Sequence, residues 1–210
     1  MRNEQSSSTL VRVIEGLRER KKLTTRRALA EAALALAVER GYHGFTVADI
    51  TEAVGVSRRT FSNYFAGRAE CLISLADDLL EEILASIPEP SAELGVREIL
   101  QAALIGFGRE ISHGAADYFR LLIAEPELQT AMMAAAGAHQ ELVAATIARV
   151  VGLAAEDIRV RAVAMFALNA GDLCIRTWFD SDRSGDSDAL AELLEKTFCV
   201  LDLDALTTKA

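Results

Sequence analysis

The sequence predicts an all-α protein in two parts, a short N-terminal set of helices and a longer C-terminal helical bundle. Three observations carry this. Apolar residues recur three and four apart through most of the chain, the spacing of one helix face. No stretch alternates apolar and polar residues as a strand would, and no internal repeat is present. The interruptions are of the kind that end helices: Gly41, Gly55, Ile87-Pro88-Glu89-Pro90, His113-Gly114, Glu125-Pro126, Gly152 and the Asp/Ser/Gly-rich stretch 180–187.

Residues 1–10 are Ser-rich and polar and read as disordered. Arg12, Arg18, Arg20, Lys21 and Lys22 follow, so residues 1–22 are expected to form a flexible basic arm. The first helix is predicted from about Thr25 to Arg40, with Leu29, Ala33, Leu36 and Ala37 on its inner face and Gly41 just past its end. Thr46 can cap a short helix whose Asp49 returns the bond, a capping box. That helix carries Val47, Ile50 and Val54 inward and stops at Gly55, which suits a left-handed turn. Ser57 can cap a second short helix running to about Phe65. Two short helices joined by a glycine-containing turn make a helix-turn-helix, and residues 23–70 are taken as that domain.

The second short helix points to a partner. Phe61 and Phe65 are four apart and share a face, with Arg59 and Asn63 nearly opposite and Thr60 and Ser62 on the flanks. Arg, Thr, Ser and Asn are the groups that hydrogen-bond base edges and phosphates in a major groove. An ordinary surface helix would show a similar polar face. Charge distribution favours double-stranded DNA. The chain's net charge is −9, yet residues 1–70 hold 12 Lys and Arg against 8 Asp and Glu, while residues 71–210 hold 10 against 23. One end is suited to a phosphate backbone and the rest is repelled by it.

A longer helix is predicted from about Arg68 to Ser86, with Leu72, Leu75, Leu79, Leu80 and Ile83 as its apolar stripe. Further helices are predicted over 94–112, 115–123, 125–151, 155–180 and 187–203, so residues 71–210 form the second domain. Several classes are excluded. No run of 18 apolar residues suggests a membrane span, and the polar N-terminus has no secretory pattern, so a cytoplasmic protein is expected. Cys71, Cys174 and Cys199 are odd in number and far apart, which suits reduced thiols rather than disulfides or a metal site. No phosphate-binding loop, GxSxG, HExxH or Cys/His cluster is present, so no enzyme, cofactor or metal is expected.

The stretch from Arg20 to Cys71, with T-x-R-A-L, G-Y-H-G-F-T-V-A-D-I and G-V-S-R-R-T-F-S-N-Y-F-A-G-R in order, closely resembles the DNA-binding domain of the TetR (tetracycline-repressor) family. The resemblance implies phosphate contacts from Thr25 and Arg26 at the head of the first helix and from Thr46 at the head of the second. It implies that Arg58, Arg59, Thr60, Ser62 and Asn63 face the major groove and that Tyr64 anchors to the backbone. Arg68 stands where a lysine is usual and keeps the charge, so the resemblance counts it among the DNA-binding residues. It further implies a homodimer through the last two long helices and a small effector bound in the C-terminal bundle. The segment Y-F-R-L-L-I-A-E-P-E-L resembles a subgroup of the family, some of whose members answer to acyl-CoA-like or other lipophilic ligands, and does not name the effector.

Helical-bundle pockets are lined by apolar and aromatic side chains with a few polar groups. Phe107, Phe119, Leu122, Met165, Phe166, Asn169 and Trp178 are candidates at helical spacings, and Arg120 and Arg176 are candidates for holding an anionic group. Simple core or surface ion pairs are the plainer alternatives. Leu168, Leu173, Leu190, Leu193, Leu194 and Val200 are candidates for the centre of the dimer surface, with intramolecular core as the alternative. The function expected is a repressor released from a palindromic operator by its effector. The rivals are an activator, a DNA-binding regulator without an effector, and a helical ligand-binding protein with a vestigial helix-turn-helix.

Overall fold

The computed structural model describes the backbone of residues 2–89 and 96–200; within these, side chains are described from residue 20 onward, except at 96, 113, 114 and 187. Among the described residues the regular structure is helical, as the sequence predicts: α1 (Arg2–Arg40), α2 (Val47–Val54), α3 (Arg58–Ser62), α4 (Arg68–Ser86), α5 (Val96–Glu110), α6 (Ala116–Ala124), α7 (Pro126–Val151), α8 (Ile158–Phe179) and α9 (Ser187–Phe198). None of these helices is long and apolar enough to cross a membrane. The chain divides into two compact units, with the boundary between Leu75 and Ala76, inside α4.

α1 begins far upstream of the predicted start at Thr25. No Gly or Pro interrupts the chain from Leu17 to Arg40, and the Arg, Glu and Lys residues there favour helix, so the expected basic arm is helical. The side chains of Arg12 and Arg18 lie outside the described residues. Leu29, Ala30 and Ala33 of α1 are fully buried, and α1 packs against α2, which carries the fully buried Ile50. Phe61, Phe65, Cys71 and Leu72 complete that first core. Gly55 closes α2 in the left-handed conformation at φ 71°, where its N–H donates to Glu52 and Thr51 carbonyls.

In the second unit, α5 packs on α9, and α8 packs on both α7 and α9. Gly108 permits the first contact, because a Cβ there would stand 2.5 Å from Leu194 Cδ1. Instead of the predicted break at His113-Gly114, a wide π-type turn over Ile111–Ala115 joins α5 to α6. α7 starts with Pro126 in its first turn and ends at Gly152 in the left-handed conformation. Leu190 and Leu194, candidates for a dimer surface, are fully buried against Ile111, Cys174 and Trp178 of the same chain. They are intramolecular core, because α9 turns its apolar face to α5 and α8. Leu193 is partly buried in that cluster, and Leu168 is partly buried in a second one built on Ile99, Val143, Ile147 and Val160. Leu173 and Val200 are exposed, at 61% and 76%.

Candidate DNA interface and candidate ligand cavity

Local chemistry builds the helix-turn-helix. The Thr46 N–H donates to Asp49 Oδ2 at 2.8 Å while the Asp49 N–H reaches back to Thr46 Oγ1, so the predicted capping box forms. The Thr46 hydroxyl and backbone N–H hold the Asp49 carboxyl below its usual range, with Arg40, at 3.7 Å, adding to the effect. α3 is capped by Ser57, whose Oγ accepts from the Thr60 N–H at 3.0 Å and lies 2.9 Å from Thr60 Oγ1. The Phe61 and Phe65 rings, 5.6 Å apart, face inward.

The predicted interface residues divide into two groups. Arg58, Arg59, Ser62 and Asn63 are exposed, and Thr60 and Tyr64 are half-buried on the flanks. Of the others, Thr46 heads α2 as expected, while Thr25, Arg26 and Arg68 differ from expectation in placement. Thr25 and Arg26 lie mid-helix, not at a helix head, and the Thr25 hydroxyl donates to the Lys21 carbonyl at 2.9 Å. Their backbone N–H groups are therefore not the open donors of a helix start. Arg26 places its guanidinium over the Phe65 ring at 5.5 Å. Thr46 is exposed, with its hydroxyl engaged by Asp49. Arg68 is turned inward: its Nη1 donates to the Tyr42 carbonyl at 2.8 Å and to the Phe45 carbonyl, and its guanidinium lies over both rings. The charge sits where the sequence places it, but it braces the domain.

The second unit encloses a cavity of about 450 Å³ between α4, α5, α6, α7 and α8. Its wall is mostly apolar, with Leu84, Leu104, Val143 and Ile147 among the lining residues. Of the predicted ligand residues, Phe107, Phe119, Leu122, Asn169 and Arg176 line it. Arg120, Met165, Phe166 and Trp178 do not. Arg120 pairs with Asp117 at 2.8 Å on the surface and lies over the Phe179 ring. Met165 is half-exposed on the outer side of α8, and the half-buried Phe166 follows it. Trp178 is core, 1% exposed, with its Nε1–H donating to the Asp186 carbonyl at 3.0 Å. Arg176 is tied to Asp172, one turn before it, at 2.8 Å.

Comparison with known families follows this division. The description "Bacterial regulatory proteins, tetR family" matches residues 29–75, and "MftR C-terminal domain" matches residues 94–202, more than half of the chain. The chain belongs to the TetR family of transcriptional regulators. Among TetR-family relatives, the putative mycofactocin biosynthesis transcriptional regulator MftR of Mycobacterium tuberculosis is 24% identical over 87% of this chain and 94% of its own length. The transcriptional activator FasR of Mycolicibacterium smegmatis is 27% identical over 77% of this chain and 75% of its own. The repressor FadR of Thermus thermophilus, solved in complex with lauroyl-CoA, aligns with a TM-score of 0.56 at 25% identity, over 88% of this chain and 97% of that one. The family binds DNA and acts as dimers with effector ligands.

Within this TetR-family chain, the ligand residues expected from the sequence include none of the wall that α4 and α7 supply. Leu80, Ile83 and Leu84 line the cavity from α4, and Gln129, Met132, Ala136, His139, Gln140, Val143 and Ile147 line it from α7. The signal was present. Positions 129, 132, 136, 139/140, 143 and 146/147 repeat at helical spacing, and the stripe mixes His, Gln and Thr with apolar residues. The stripe is buried at His139, Val143, Thr146 and Ile147 and half-buried at Gln129, Met132 and Gln140, a mixture that suits a cavity wall.

Proposed function

We propose that this TetR-family regulator is a dimeric repressor whose DNA affinity is lowered by an elongated, mainly apolar ligand in the C-terminal cavity. The observation that carries the ligand class is the cavity's shape. Its lining runs along α7 from Gln129 to Ile147, roughly 27 Å of helix axis at 1.5 Å per residue. A compact ligand would leave much of such a wall empty, whereas a long acyl chain matches its length and its apolar surface. The solved FadR with lauroyl-CoA supports the same class. A fully extended chain buried here gains about 0.8 kcal/mol per methylene, ample for micromolar affinity or tighter.

On the DNA side, Arg58, Arg59, Ser62 and Asn63 form the base-reading face. Thr46, Tyr64, Thr25 and Arg26 are assigned to the flanking backbone. Dimerisation is assigned to the outer face of α8, where Ile158, Met165 and Leu173 are at least half exposed at helical spacing. Apolar residues left exposed in a row mark a protein contact surface. Two recognition helices held about 34–36 Å apart then read a two-fold operator. A ligand that favours another spacing weakens binding by population shift, with a coupling of about 1–3 kcal/mol. The name of FasR favours activation as the second reading of the same device.

The test is titration of the preformed operator complex with palmitoyl-CoA, followed by fluorescence anisotropy. Release with a saturable midpoint supports the reading. Operator affinity unchanged from octanoyl- through stearoyl-CoA contradicts it.

A further inference from the structure

The polar groups on the cavity wall mostly bond within the chain. Gln129 donates to the Ile123 carbonyl, Thr146 to the Leu142 carbonyl, Asn169 to the Met165 carbonyl, and Arg176 to Asp172. His139 differs. It lines the cavity, is only 8% exposed, and places Nε2 at 2.7 Å from Asp77 Oδ1 of α4. That is its side chain's one hydrogen bond among the described residues. An ionised carboxylate only accepts, so Nε2 carries the proton and Asp77 fixes the ring. Nδ1 is then the nitrogen left for a ligand, accepting in the neutral ring and donating when the ring holds a second proton.

We infer that His139 is the specificity-determining polar contact of the cavity and receives a hydroxyl carried part-way along an otherwise apolar chain. This assignment rests on the acyl-chain reading and narrows it. A hydroxyl both donates and accepts, so it answers the ring in either protonation state. A plain methylene chain passing His139 would bury Nδ1 with no partner, and an unsatisfied buried group is costly. The position of the hydroxyl follows from the helix. His139 lies ten residues from Gln129 and eight from Ile147, or about 15 Å and about 12 Å along α7. At roughly 1.3 Å of advance per carbon, from single bonds of about 1.5 Å, the hydroxyl falls near carbons 9 to 12 from either end.

The experiment is isothermal titration of the full chain with octadecanoate and its 2-, 10- and 12-hydroxy derivatives, each below its aggregation concentration. A mid-chain hydroxyl is expected to tighten binding about tenfold over octadecanoate, and the 2-hydroxyl to give no such gain. His139→Leu should erase the gain by tightening octadecanoate toward the hydroxylated chains, since no ring nitrogen is then left unpaired, and His139→Gln, which still offers a donor and an acceptor, should keep part of it. Mid-chain isomers no tighter than octadecanoate on the unaltered protein overturn the assignment, whether or not either variant folds. A gain that survives in His139→Leu overturns it as well. Failure of all four chains to saturate the unaltered protein overturns the acyl-chain reading itself, and the assignment with it.

Discussion

The Arg68 guanidinium lies 4.7 Å above the Tyr42 ring and donates to the Tyr42 carbonyl at 2.8 Å, so one side chain braces the start of α4 against the segment between α1 and α2. It serves two carbonyls and two rings at once, which a planar fork can do and a point charge cannot. Arg68→Ala is predicted to destabilise the DNA-binding unit by about 2–4 kcal/mol. Arg68→Lys should recover less than half of that. Urea unfolding reads the loss. The logarithmic salt slope of DNA binding should stay the same, since a bracing residue neutralises no phosphate.

Arg59 is the opposite case. It is exposed on α3, behind which Phe61 and Phe65 are buried. Arg59→Ala is predicted to weaken operator binding by about 1–3 kcal/mol and to relax sequence preference at one position. Equal weakening on operator and random duplexes would move Arg59 from the bases to the backbone.

The two arginines show how far the sequence could be read. The helix-turn-helix was legible because its signals are local: Thr46 with Asp49, Gly55, Ser57 and the Phe61–Phe65 pair lie within 20 residues. Arg68 was misplaced because its partners, Tyr42 and Phe45, lie 26 and 23 residues away. Charge alone does not say which way a side chain turns. The same limit governs the cavity. Trp178 and Phe107 both look like pocket aromatics, yet only packing decides that Trp178 seals the α8–α9 loop while Phe107 faces the cavity. Leu190 and Leu194 likewise fit a dimer seam or a core, and the close approach at Gly108 makes them core.

Filling the cavity should separate sensing from DNA binding. Ala103 lines it from α5, and Ala103→Trp adds bulk where a ligand chain would lie. The variant is predicted to bind operator within about threefold of the unaltered protein and to lose release by palmitoyl-CoA. Retained release at the same midpoint would place the ligand elsewhere.

Acid stability should report the cap of α8. Asp157 accepts from the Arg159 guanidinium at 2.7 Å and from the Arg159 N–H, which together hold its carboxyl down at about 2. Its folded value lies below the ordinary one of about 3.9, so the contribution is present above that value and is lost as pH falls toward about 2. Asp157→Asn should remove this limb of the stability curve between about pH 4 and pH 2, with little effect on its shape near neutrality. An identical acid limb in the variant would show that other carboxylates set it.

Thiol chemistry gives a check on packing. Cys71 and Cys174 are buried and Cys199 is exposed, and burial pushes the Cys71 thiol up to about 12. Folded protein at pH 8 is therefore predicted to react with iodoacetamide at Cys199 alone on a timescale of minutes, with the other two labelled only after denaturation. Fast labelling of Cys71 would mean that the core between α1 and α4 opens readily.

The most direct test of the account is anisotropy of a duplex selected from a random pool by the full chain, measured across salt concentrations and at stoichiometric protein. The account predicts a two-fold-symmetric sequence bound by two chains, at least a thousandfold more tightly than random duplex, with affinity falling steeply as salt rises. A pool that enriches no sequence, or a complex with one chain per site, would contradict it.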